Sequence, residues 1–447
     1  MQLQLVIAGS GFDPDKPAVY YVLLTKLAWL TLSMRIKAYL YAVLALILFA
    51  FLLVGSPRPS REDWWRKDLR YLATELLVRH VNPFFSVTRE EFDRAVDELD
   101  KAIPLMKDHE IVVGMKQIVA MIGDPHTDMA VEFSYYPLRL QWFKDGYFAS
   151  ATTSAYRRSL GSRLVQIGNM DVESAYAAIK TVISHDNENW LRKQSASFMV
   201  APAILHAKKI LPQMERGQFF FEDAKKNRFA LDLARPTHKI DSSEWLLAPD
   251  EAKMPAPLYL KKKDVYYWFE HLQNSKTLYF QYNRCQEVET LPFGKFAEEL
   301  FRSVDTLLVN RLIIDLRHNS GGNSGILWPF IVGLNNRPTI NQKGHLFVII
   351  GSGTYSSGVL NAAELQEHTH AIFFGEPTGA RPNVYGEPRQ FYLPNSGLAV
   401  SYSTKHFKRV KDDPPALMPD VTVELTAADY FAGRDPVLDR ILTYQAK

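Results

Sequence analysis

Residues 345–379 read HLFVIIGSGTYSSGVLNAAELQEHTHAIFFGEPTG and decide the fold. The run at residues 346–350 is apolar and rich in β-branched side chains, which predicts a strand buried on both faces. A turn with glycines and serines follows, and residues 359–368 then carry apolar side chains at helical spacing. A second apolar run, residues 371–374, predicts the next strand. The stretch therefore indicates a strand, a sharp turn with serines, a helix and another strand.

Two serines, Ser356 and Ser357, lie in the turn between this strand and this helix. Such a hydroxyl can cap the helix by accepting a hydrogen bond from one of its first free N–H groups. It can also project from the turn as a nucleophile, because the same N–H groups can hold the negative oxygen formed when a hydroxyl attacks a carbonyl. The stretch alone leaves both interpretations open.

The composition favours a packed protein of roughly two or three domains and argues against several classes of function. The chain has 447 residues, of which 47% are hydrophobic, and its formal net charge is +3. No long stripe of Lys and Arg is present, so nucleic acid is not an expected partner. Cys285 is the single cysteine, which excludes an intrachain disulfide and predicts a small buried apolar residue. No Cys/His cluster has the sequence spacing of a zinc site.

The clearest targeting signal lies near the N-terminus. Residues 38–54 form a continuous apolar run, and Arg35 and Lys37 stand directly before it. A positive segment followed by an apolar segment is typical of a signal sequence. We therefore expect residues 34–60 to be a membrane anchor with its linker, or else a cleaved signal, and both alternatives place the rest of the chain on the extracytoplasmic side. A buried core helix is the remaining alternative. Met34 begins the pattern and is an alternative start of translation to Met1, in which case residues 1–33 would be a non-native or disordered extension.

The rest of the chain divides by pattern into three regions. Residues 61–136 carry three helical patterns, one opened by a capping box at residues 88–91, and predict a helical N-terminal domain. Residues 137–265 change to strand patterns, and within them GSRLVQIGNMDV, residues 161–172, resembles the carboxylate-binding PDZ module and predicts a degenerate PDZ-like insert. Residues 266–447 alternate strands with helices, which predicts βαβ units around a mostly parallel sheet and hence an α/β fold.

Two further segments carry polar groups that suit chemistry. Residues 124–127, Asp-Pro-His-Thr, follow a predicted helix, so the imidazole is free to point into a cleft or to stay an ordinary hydrogen-bonded surface group. A buried strand at residues 311–316 leads into RHNSGG at residues 317–322, and paired glycines let backbone N–H groups approach a ligand closely. Asp315 and Arg317 at this strand end are expected to form a structural ion pair.

Four segments resemble motifs of the tail-specific, or C-terminal processing, serine peptidases, in the same order and at fitting spacings. LIIDLRHNSGG at residues 312–322 is similar to the family's strand-and-glycine segment, and TYSSG at residues 354–358 to its nucleophile turn. GEPTG at residues 375–379 looks like its G-E-x-T-x-G segment, and MPDV at residues 418–421 like its closing P-D segment. The resemblance covers roughly residues 275–425 and implies a catalytic core with the crotonase- and ClpP-like α/β fold.

The resemblance also implies which residue acts as the general base. One branch of the family uses a lysine shortly after the G-E-x-T segment, but residues 379–383 read GARPN, and an arginine guanidinium stays protonated. The tricorn-core and interphotoreceptor-retinoid-binding-like branch carries an upstream D-x-H segment, which residues 124–126 match. His126 is therefore the expected base in a Ser/His site, and Lys405 is the alternative.

The alignment with the family's nucleophile turn assigns roles to the serines and glycines. Ser356 aligns with the nucleophile, and Ser357 aligns with the residue that donates one N–H group to the oxyanion. Ser357 as the nucleophile is the alternative. The second oxyanion N–H is expected from Gly321 or Gly322.

A third catalytic residue is expected from the acidic residues before the closing P-D segment. Tricorn-like members use an acidic residue there to orient the histidine, and Asp412 and Asp413 occupy that region here. Asp412 is the expected residue, and an ordinary acidic surface turn is the alternative. Asp124 could instead orient the histidine or only hydrogen-bond its own turn.

The resemblance as a whole implies a serine endopeptidase that hydrolyses peptide bonds through an acyl-enzyme. It needs no metal and no organic cofactor, and its expected partners are a peptide or protein substrate and, through residues 38–54, a membrane. A rival interpretation is a catalytically weak peptide- or lipid-binding protein on the same scaffold, because the retinoid-binding relatives carry ligands on this fold. An esterase that uses the same serine is a third.

Overall fold

The computed structural model describes residues 34, 36, 38, 39, 41–46, 59–249 and 256–445. The predicted extension at residues 1–33 and most of the predicted anchor at residues 38–54 lie outside these residues. No helix within the described part of the chain is long and apolar enough to cross a membrane, so the anchor stays a prediction. The chain forms two compact units, residues 1–63 and 64–447.

The three helices expected in residues 61–136 are confirmed. The capping box is present, because Glu91 N donates to Thr88 Oγ1 (3.2 Å) and Thr88 N donates to Glu91 Oε2 (3.0 Å). Buried side chains such as Leu72, Phe92 and Ile118 join the helices into one core. The helices are α1 (Arg61–Arg79), α2 (Arg89–Ala102) and α3 (Asp108–Ala120).

A hairpin from the C-terminal half of the chain packs on these three helices. Its antiparallel strands contribute Phe391, Val400 and Tyr402 to the helical core. The helical layer therefore shares its core with residues from a distant part of the sequence. The strands, numbered in chain order with those below, are β13 (Val384–Tyr392) and β14 (Ala399–Phe407).

The middle of the chain forms an antiparallel sheet of seven strands in the order β1-β2-β3-β5-β6, with β4 beside β3 and β7 beside β2. A tight turn at Lys144 and Asp145 joins β1 and β2 into an antiparallel hairpin. The PDZ-like assignment stays a prediction. The elements are β1 (Leu138–Phe143), β2 (Gly146–Thr153), β3 (Arg163–Ile167), β4 (Met170–Asp171), α4 (Val172–Ile179), α5 (Glu188–Phe198), α6 (Pro202–Ala207), β5 (Arg216–Glu222), β6 (Arg228–Ala234) and β7 (Trp245–Leu247).

The last third of the chain forms a six-stranded sheet in the order β15-β12-β11-β10-β9-β8. All neighbouring strands are parallel except β8, which is antiparallel to β9, so the prediction of a mixed α/β fold with a mostly parallel sheet is confirmed. The elements are α7 (Leu258–Lys261), β8 (Tyr267–Leu272), β9 (Thr277–Tyr282), α8 (Phe293–Thr306), β10 (Arg311–Asp315), α9 (Trp328–Asn335), β11 (Leu346–Ile350), α10 (Ser357–His368), β12 (Ile372–Gly375), β15 (Val421–Thr422), α11 (Ala427–Phe431) and α12 (Pro436–Leu442).

Helices cover both faces of this sheet, which explains why its central strands are apolar throughout. Leu312 and Ile314 of β10 face a core built with α8, α9 and α10, whereas Ile313 faces a second core built with α12. All five residues of β11 are buried, as the opening stretch predicted. The crotonase/ClpP-like name for this core stays a prediction.

The carboxyl ends of β10 and β11 meet at one edge of the sheet, and each leads into a glycine-containing turn. Ligands of parallel α/β sheets bind at this edge. Arg317 is fixed there by ion pairs to Asp315 and Asp435, each at 2.9 Å, which confirms the structural interpretation of Asp315 and Arg317.

Candidate active site

Ser356 has a strained backbone and does not cap the helix that follows it. Its φ is 53° and its ψ is −128°, a conformation that costs a non-glycine residue about 1–3 kcal/mol. Ser356 occupies the N-cap position of α10, but its side chain makes no capping hydrogen bond. The capping interpretation of Ser356 is therefore wrong, and its hydroxyl is presented to the sheet edge instead.

The hydroxyl of Ser356 lies beside the imidazole of His126. His126 Nε2 is 2.9 Å from Ser356 Oγ, across 230 residues of sequence. The histidine side chain is only 10% exposed, and its ring stacks on Tyr355 with centroids 4.9 Å apart. Tyr355 in turn stacks on Trp190 at 4.1 Å. This stack limits the rotation of the imidazole and keeps Nε2 directed at the serine.

Strand β14 brings His126 to the serine. Asp128 N donates to Ser401 O (3.2 Å) and Ser401 N donates to Asp128 O (2.8 Å), so the loop after α3 pairs with the hairpin like an added strand. Ser401 Oγ also donates to His126 O at 2.9 Å. The position of the histidine thus depends on a hairpin that the sequence pattern had not singled out.

Asp124 is the carboxylate next to His126. Its Oδ1 lies 3.7 Å from His126 Nδ1, too long for a hydrogen bond, and Nδ1 has no other partner in the described chain. Its Oδ1 accepts from His126 N (3.0 Å), and its Oδ2 accepts from Thr127 Oγ1 and Ser403 Oγ (both 2.5 Å). Burial alone would raise the pKa of Asp124, but its interactions with His126, His80 and Ser403 outweigh burial and hold the pKa well below the ordinary value. Asp124 is therefore an anion at neutral pH.

His80 supports this carboxylate and was missed in the sequence. Its Nδ1 accepts from Asn82 N at 3.0 Å, so Nε2 carries the proton and donates to Asp124 Oδ2 at 3.2 Å. The side chain is fully buried. His80 follows the helical pattern of α1 directly, and nothing in the pattern distinguishes it from an ordinary core histidine.

The expectation that Asp412 orients the histidine does not fit the structure. Asp412 is exposed, and its carboxylate makes no hydrogen bond or ion pair with any described residue. Only its backbone carbonyl is engaged, as an acceptor for Asn383 Nδ2 (3.0 Å). Asp413 pairs with Arg381 (3.1 Å), so the alternative of an acidic surface turn fits both residues. The alternative base Lys405 is paired with Glu387 at 3.1 Å, away from the serine.

A second carboxyl, that of the half-buried Asp186, lies close enough to interact with the site and was not predicted. Its Oδ2 accepts from Arg381 N (3.3 Å), whereas Oδ1 is buried without a partner in the described chain. Burial raises the pKa of Asp186 to about 7, and the negative charge of Asp124 adds to this while His126 opposes it. Asp186 precedes the N-cap of α5 in a polar loop, where the sequence carries no signal for burial.

The raised pKa of Asp186 predicts a pH-dependent stability. The folded chain holds a proton on Asp186 up to about pH 7, whereas the unfolded chain loses it near pH 4, so stability falls as pH rises between these values. The asparagine of Asp186→Asn stays neutral at every pH, so this variant does not lose stability in this way as the pH rises. We expect its free energy of unfolding, relative to wild type, to increase by about 2 kcal/mol from pH 5 to pH 7 in urea denaturation. Asp413→Asn, an exposed carboxyl on the same arginine, is the control and should show no such increase. If the free energies of unfolding of Asp186→Asn and wild type change equally between pH 5 and pH 7, the prediction is wrong.

The three N–H groups expected to bind an oxyanion differ in whether they already have an acceptor. Ser357 N and Gly322 N have no acceptor among the described residues, and both belong to the turns that meet at Ser356. Gly321 N, in contrast, already donates to Asn319 Oδ1 at 2.9 Å, so its assignment as a free donor does not hold in this structure. Ser357 Oγ donates to Gly322 O at 2.6 Å, which ties the two turns together and leaves Ser356 as the available hydroxyl.

Gly321 is needed for the close approach of the two turns. Its φ is 100°, and a Cβ there would lie 2.7 Å from Ser356 Cβ and 3.0 Å from Ser357 N. Gly321→Ala is therefore expected to lower the free energy of unfolding by about 1–3 kcal/mol and the rate of a Ser356-dependent reaction by about 100-fold. Gly294→Ala is the control, since a Cβ there meets nothing within 4 Å. Equal stability and rate in the two variants would contradict this reading of Gly321.

A cavity of about 660 Å³ opens beside the turn that leads to Ser356, and neither Ser356 nor His126 lines it. Gly351 and Gly353 line it on the side of the six-stranded sheet, and Trp142 and Lys193 line it on the side of the seven-stranded sheet. Burial lowers the pKa of Lys193 to about 8, although its side chain remains accessible to water. The cavity is large enough for several side chains of a ligand.

Neither a known sequence family nor a curated protein matches this chain. Among solved structures, mature CPAF is similar, with a TM-score of 0.59 at 12% identity over 85% of this chain and 96% of that chain. Mature CPAF complexed with lactacystin gives a TM-score of 0.58 at 11% identity over 85% of this chain and 97% of that chain.

Tricorn protease is also matched, at 14% identity over 86% of this chain and 36% of that chain, but its TM-score of 0.43 is too low to support an argument. At such identities the likeness to mature CPAF concerns the fold alone. These comparisons show that the chain has the fold of mature CPAF over most of its length. Its chemistry is argued from the residues at the site.

Proposed function

We propose that this chain is a serine peptidase that hydrolyses peptide bonds through an acyl-enzyme intermediate. The observation that carries the proposal is the 2.9 Å distance between His126 Nε2 and Ser356 Oγ. Two facts support it: Ser356 does not cap its helix, and the motifs that resemble tail-specific serine peptidases include both residues.

In the first step, His126 acts as general base. Its Nε2 accepts the proton of Ser356 while Oγ attacks the carbonyl carbon of the peptide bond. The imidazolium that forms is stabilised by the Asp124 carboxylate, 3.7 Å from Nδ1. Because Asp124 is anionic at neutral pH and buried, this attraction is weakly screened by water.

The carbonyl oxygen becomes negative as the tetrahedral intermediate forms. The N–H groups of Ser357 and Gly322 are the donors that we assign to it. A donor of this kind contributes about 3–4 kcal/mol to the stability of the transition state. The hydrogen bond between Ser357 Oγ and Gly322 O keeps the two donors at a fixed separation before substrate binds.

In the second step, the imidazolium returns the proton to the leaving amine, and the C–N bond breaks. The acyl group remains on Ser356 Oγ as an ester. Water then attacks this ester while His126 Nε2 takes one of its protons. The imidazolium returns this proton to Ser356 Oγ as the ester C–O bond breaks, and the acid product leaves with both residues restored. No step requires a metal ion or an organic cofactor.

The experiment uses the full chain with a fluorogenic peptide library and a serine-reactive phosphonate. Wild type should hydrolyse peptides and take up one phosphonate per chain, whereas Ser356→Ala should do neither. Ser320→Ala, an exposed serine in the neighbouring glycine segment, is the control and should behave as wild type. Lactacystin is a second probe, because mature CPAF has been solved complexed with it. Saturable peptide binding without hydrolysis or labelling would overturn the proposal in favour of a binding protein on this scaffold.

We further propose that the enzyme is tail-specific, with a Ser/His site in a crotonase/ClpP-like core and a PDZ-like insert. This proposal rests on the four motifs and on residues 161–172. It predicts faster cleavage of a peptide with a free C-terminal carboxylate than of its C-terminally amidated form. Equal rates for the two peptides would contradict tail specificity without affecting the peptidase proposal.

From the sequence alone, we propose that residues 38–54 anchor the chain in a membrane or export it, with the catalytic part on the extracytoplasmic side. A fusion of alkaline phosphatase after Ser60 should be active in a bacterial host, because this reporter needs an oxidising compartment. An inactive but intact fusion would contradict the proposal.

A further inference from the structure

Three potential metal ligands converge at His109, Glu110 and His206, and the first two lie at the opposite end of α3 from the loop that carries His126. His109 Nε2 is 2.9 Å from His206 Nδ1, and Glu110 Oε1 is 3.6 Å from the same nitrogen. One donor atom of each residue lies within 4.8 Å of the other two. All three side chains are half-buried, and none has a role in the proposed reaction.

The three residues come from two elements that the sequence separates widely. His109 and Glu110 lie in the first turn of α3, and His206 lies near the end of α6. The helix α6 is held by Ile204 and Leu205 in the core of the seven-stranded sheet. Because 97 residues separate the two histidines, the cluster has none of the local spacing by which zinc sites are recognised in sequence.

The carboxylate of Glu110 is oriented by the helix end itself. Lys107 N donates to Glu110 Oε2 at 2.7 Å, which satisfies one of the free N–H groups at the start of α3. The other oxygen, Oε1, is left to face His206. A hydrogen bond of this kind fixes a metal-ligating group before the ion arrives.

The ring nitrogens of the two histidines face each other. His109 Nε2 and His206 Nδ1 are 2.9 Å apart, so one of them carries a proton that the other accepts. A metal ion that binds both nitrogens would take the place of this proton, because imidazole binds a metal through a lone pair.

We propose that His109, Glu110 and His206 bind one Zn²⁺ ion. Zinc bonds to nitrogen and carboxylate oxygen are about 2.0–2.2 Å long, so tetrahedral ligand atoms lie roughly 3.3–3.5 Å apart. Two of the three separations, 2.9 and 3.6 Å, lie on both sides of this value, and the third, between His109 and Glu110, is within 4.8 Å, so binding requires the side chains to move closer together. Two histidines and one glutamate leave the fourth position to water.

The bound ion would fasten the helical layer to the seven-stranded sheet through α3 and α6. The helix α3 ends at Ala120, and the loop that carries Asp124 and His126 follows directly. Zinc at the first turn of α3 would therefore stabilise the element that leads to the general base. It takes no part in the proposed hydrolysis, which stays metal-free.

Cobalt and zinc titrations of the full chain, after treatment with a chelator, test the proposal. Wild type should bind one Zn²⁺ per chain by calorimetry, give Co²⁺ visible bands of tetrahedral intensity, and unfold at a higher temperature with zinc than without. His206→Gln and Glu110→Gln should each weaken zinc binding at least about 10-fold. The amide oxygen introduced by Glu110→Gln can still accept from Lys107 N, so this variant keeps the helix cap and remains folded.

His368→Gln is the matched control, because His368 also lies near a glutamate, Glu367 at 3.7 Å, but has no third ligand among the described residues. It should bind zinc as wild type does. Absence of a one-to-one complex, or equal zinc affinity in wild type, His206→Gln and Glu110→Gln, would overturn the proposal and leave a neutral hydrogen bond between the two histidines. Because the readout is metal binding and unfolding, this outcome is independent of peptidase activity.

Discussion

Replacing Ser356 by alanine is expected to lower kcat/KM for peptide hydrolysis by about 10⁴- to 10⁶-fold, with the fold unchanged. The reason is that no other hydroxyl takes its place: Ser357 Oγ is bound to Gly322 O. The variant should also fail to react with a phosphonate. Initial rates on one fluorogenic peptide, with circular dichroism as the check on folding, measure both effects.

Ser356→Gly separates the chemical role of this residue from its strain. Glycine adopts a φ of 53° without a steric penalty, so this variant should be as inactive as Ser356→Ala but more stable by about 1 kcal/mol or more. Urea denaturation of the two variants side by side gives the difference. If the glycine variant is less stable than the alanine variant, the inference that the backbone at Ser356 is strained is wrong.

His126→Ala is expected to lower kcat/KM by about 10⁴- to 10⁶-fold as well, because Ser356 then has no base. The two residues act as one unit, so the double variant Ser356→Ala/His126→Ala should be no slower than either single variant. Kinetics of all three variants on the same peptide measure this. His406→Gln, a histidine of β14 whose ring stacks on Tyr385 away from the serine, is the control. Multiplicative losses in the double variant would contradict a shared role.

Local sequence patterns were sufficient for the core of the fold. The strand β11, the turn and the helix α10 follow from apolar periodicity and glycine placement over residues 346–368, and all three are present. The same holds for the capping box at Thr88, which is fixed by contacts within four residues. Contacts between residues that are close in the sequence determine such features, so local sequence patterns are sufficient to predict them.

The candidate site was predictable only in part, because its parts come from distant segments. The pairing of His126 with Ser356 came from the resemblance to a family, not from any pattern in this sequence. The hairpin strand β14 holds the histidine through Ser401, and the sequence offers no signal for a contact over 275 residues. The choice between capping and nucleophile at Ser356 likewise depended on a backbone angle that composition does not reveal.

Two choices that the sequence left open at the site have the same physical origin. Asp412 and Asp124 are the same residue type, but only Asp124 is buried beside the imidazole of His126. Gly321 and Gly322 are adjacent and identical in type, yet the N–H of Gly321 is taken by Asn319. In both cases the deciding factor is a tertiary hydrogen bond or burial, which the residue type alone does not specify.

Mapping the residue that a serine-reactive phosphonate modifies tests the pairing of Ser356 and His126 most directly. We expect peptide mass spectrometry of the labelled full chain to place the adduct on Ser356, and the labelling rate to fall at least about 1,000-fold in His126→Ala. An adduct on another residue, or equal labelling rates in wild type and His126→Ala, would contradict the pairing.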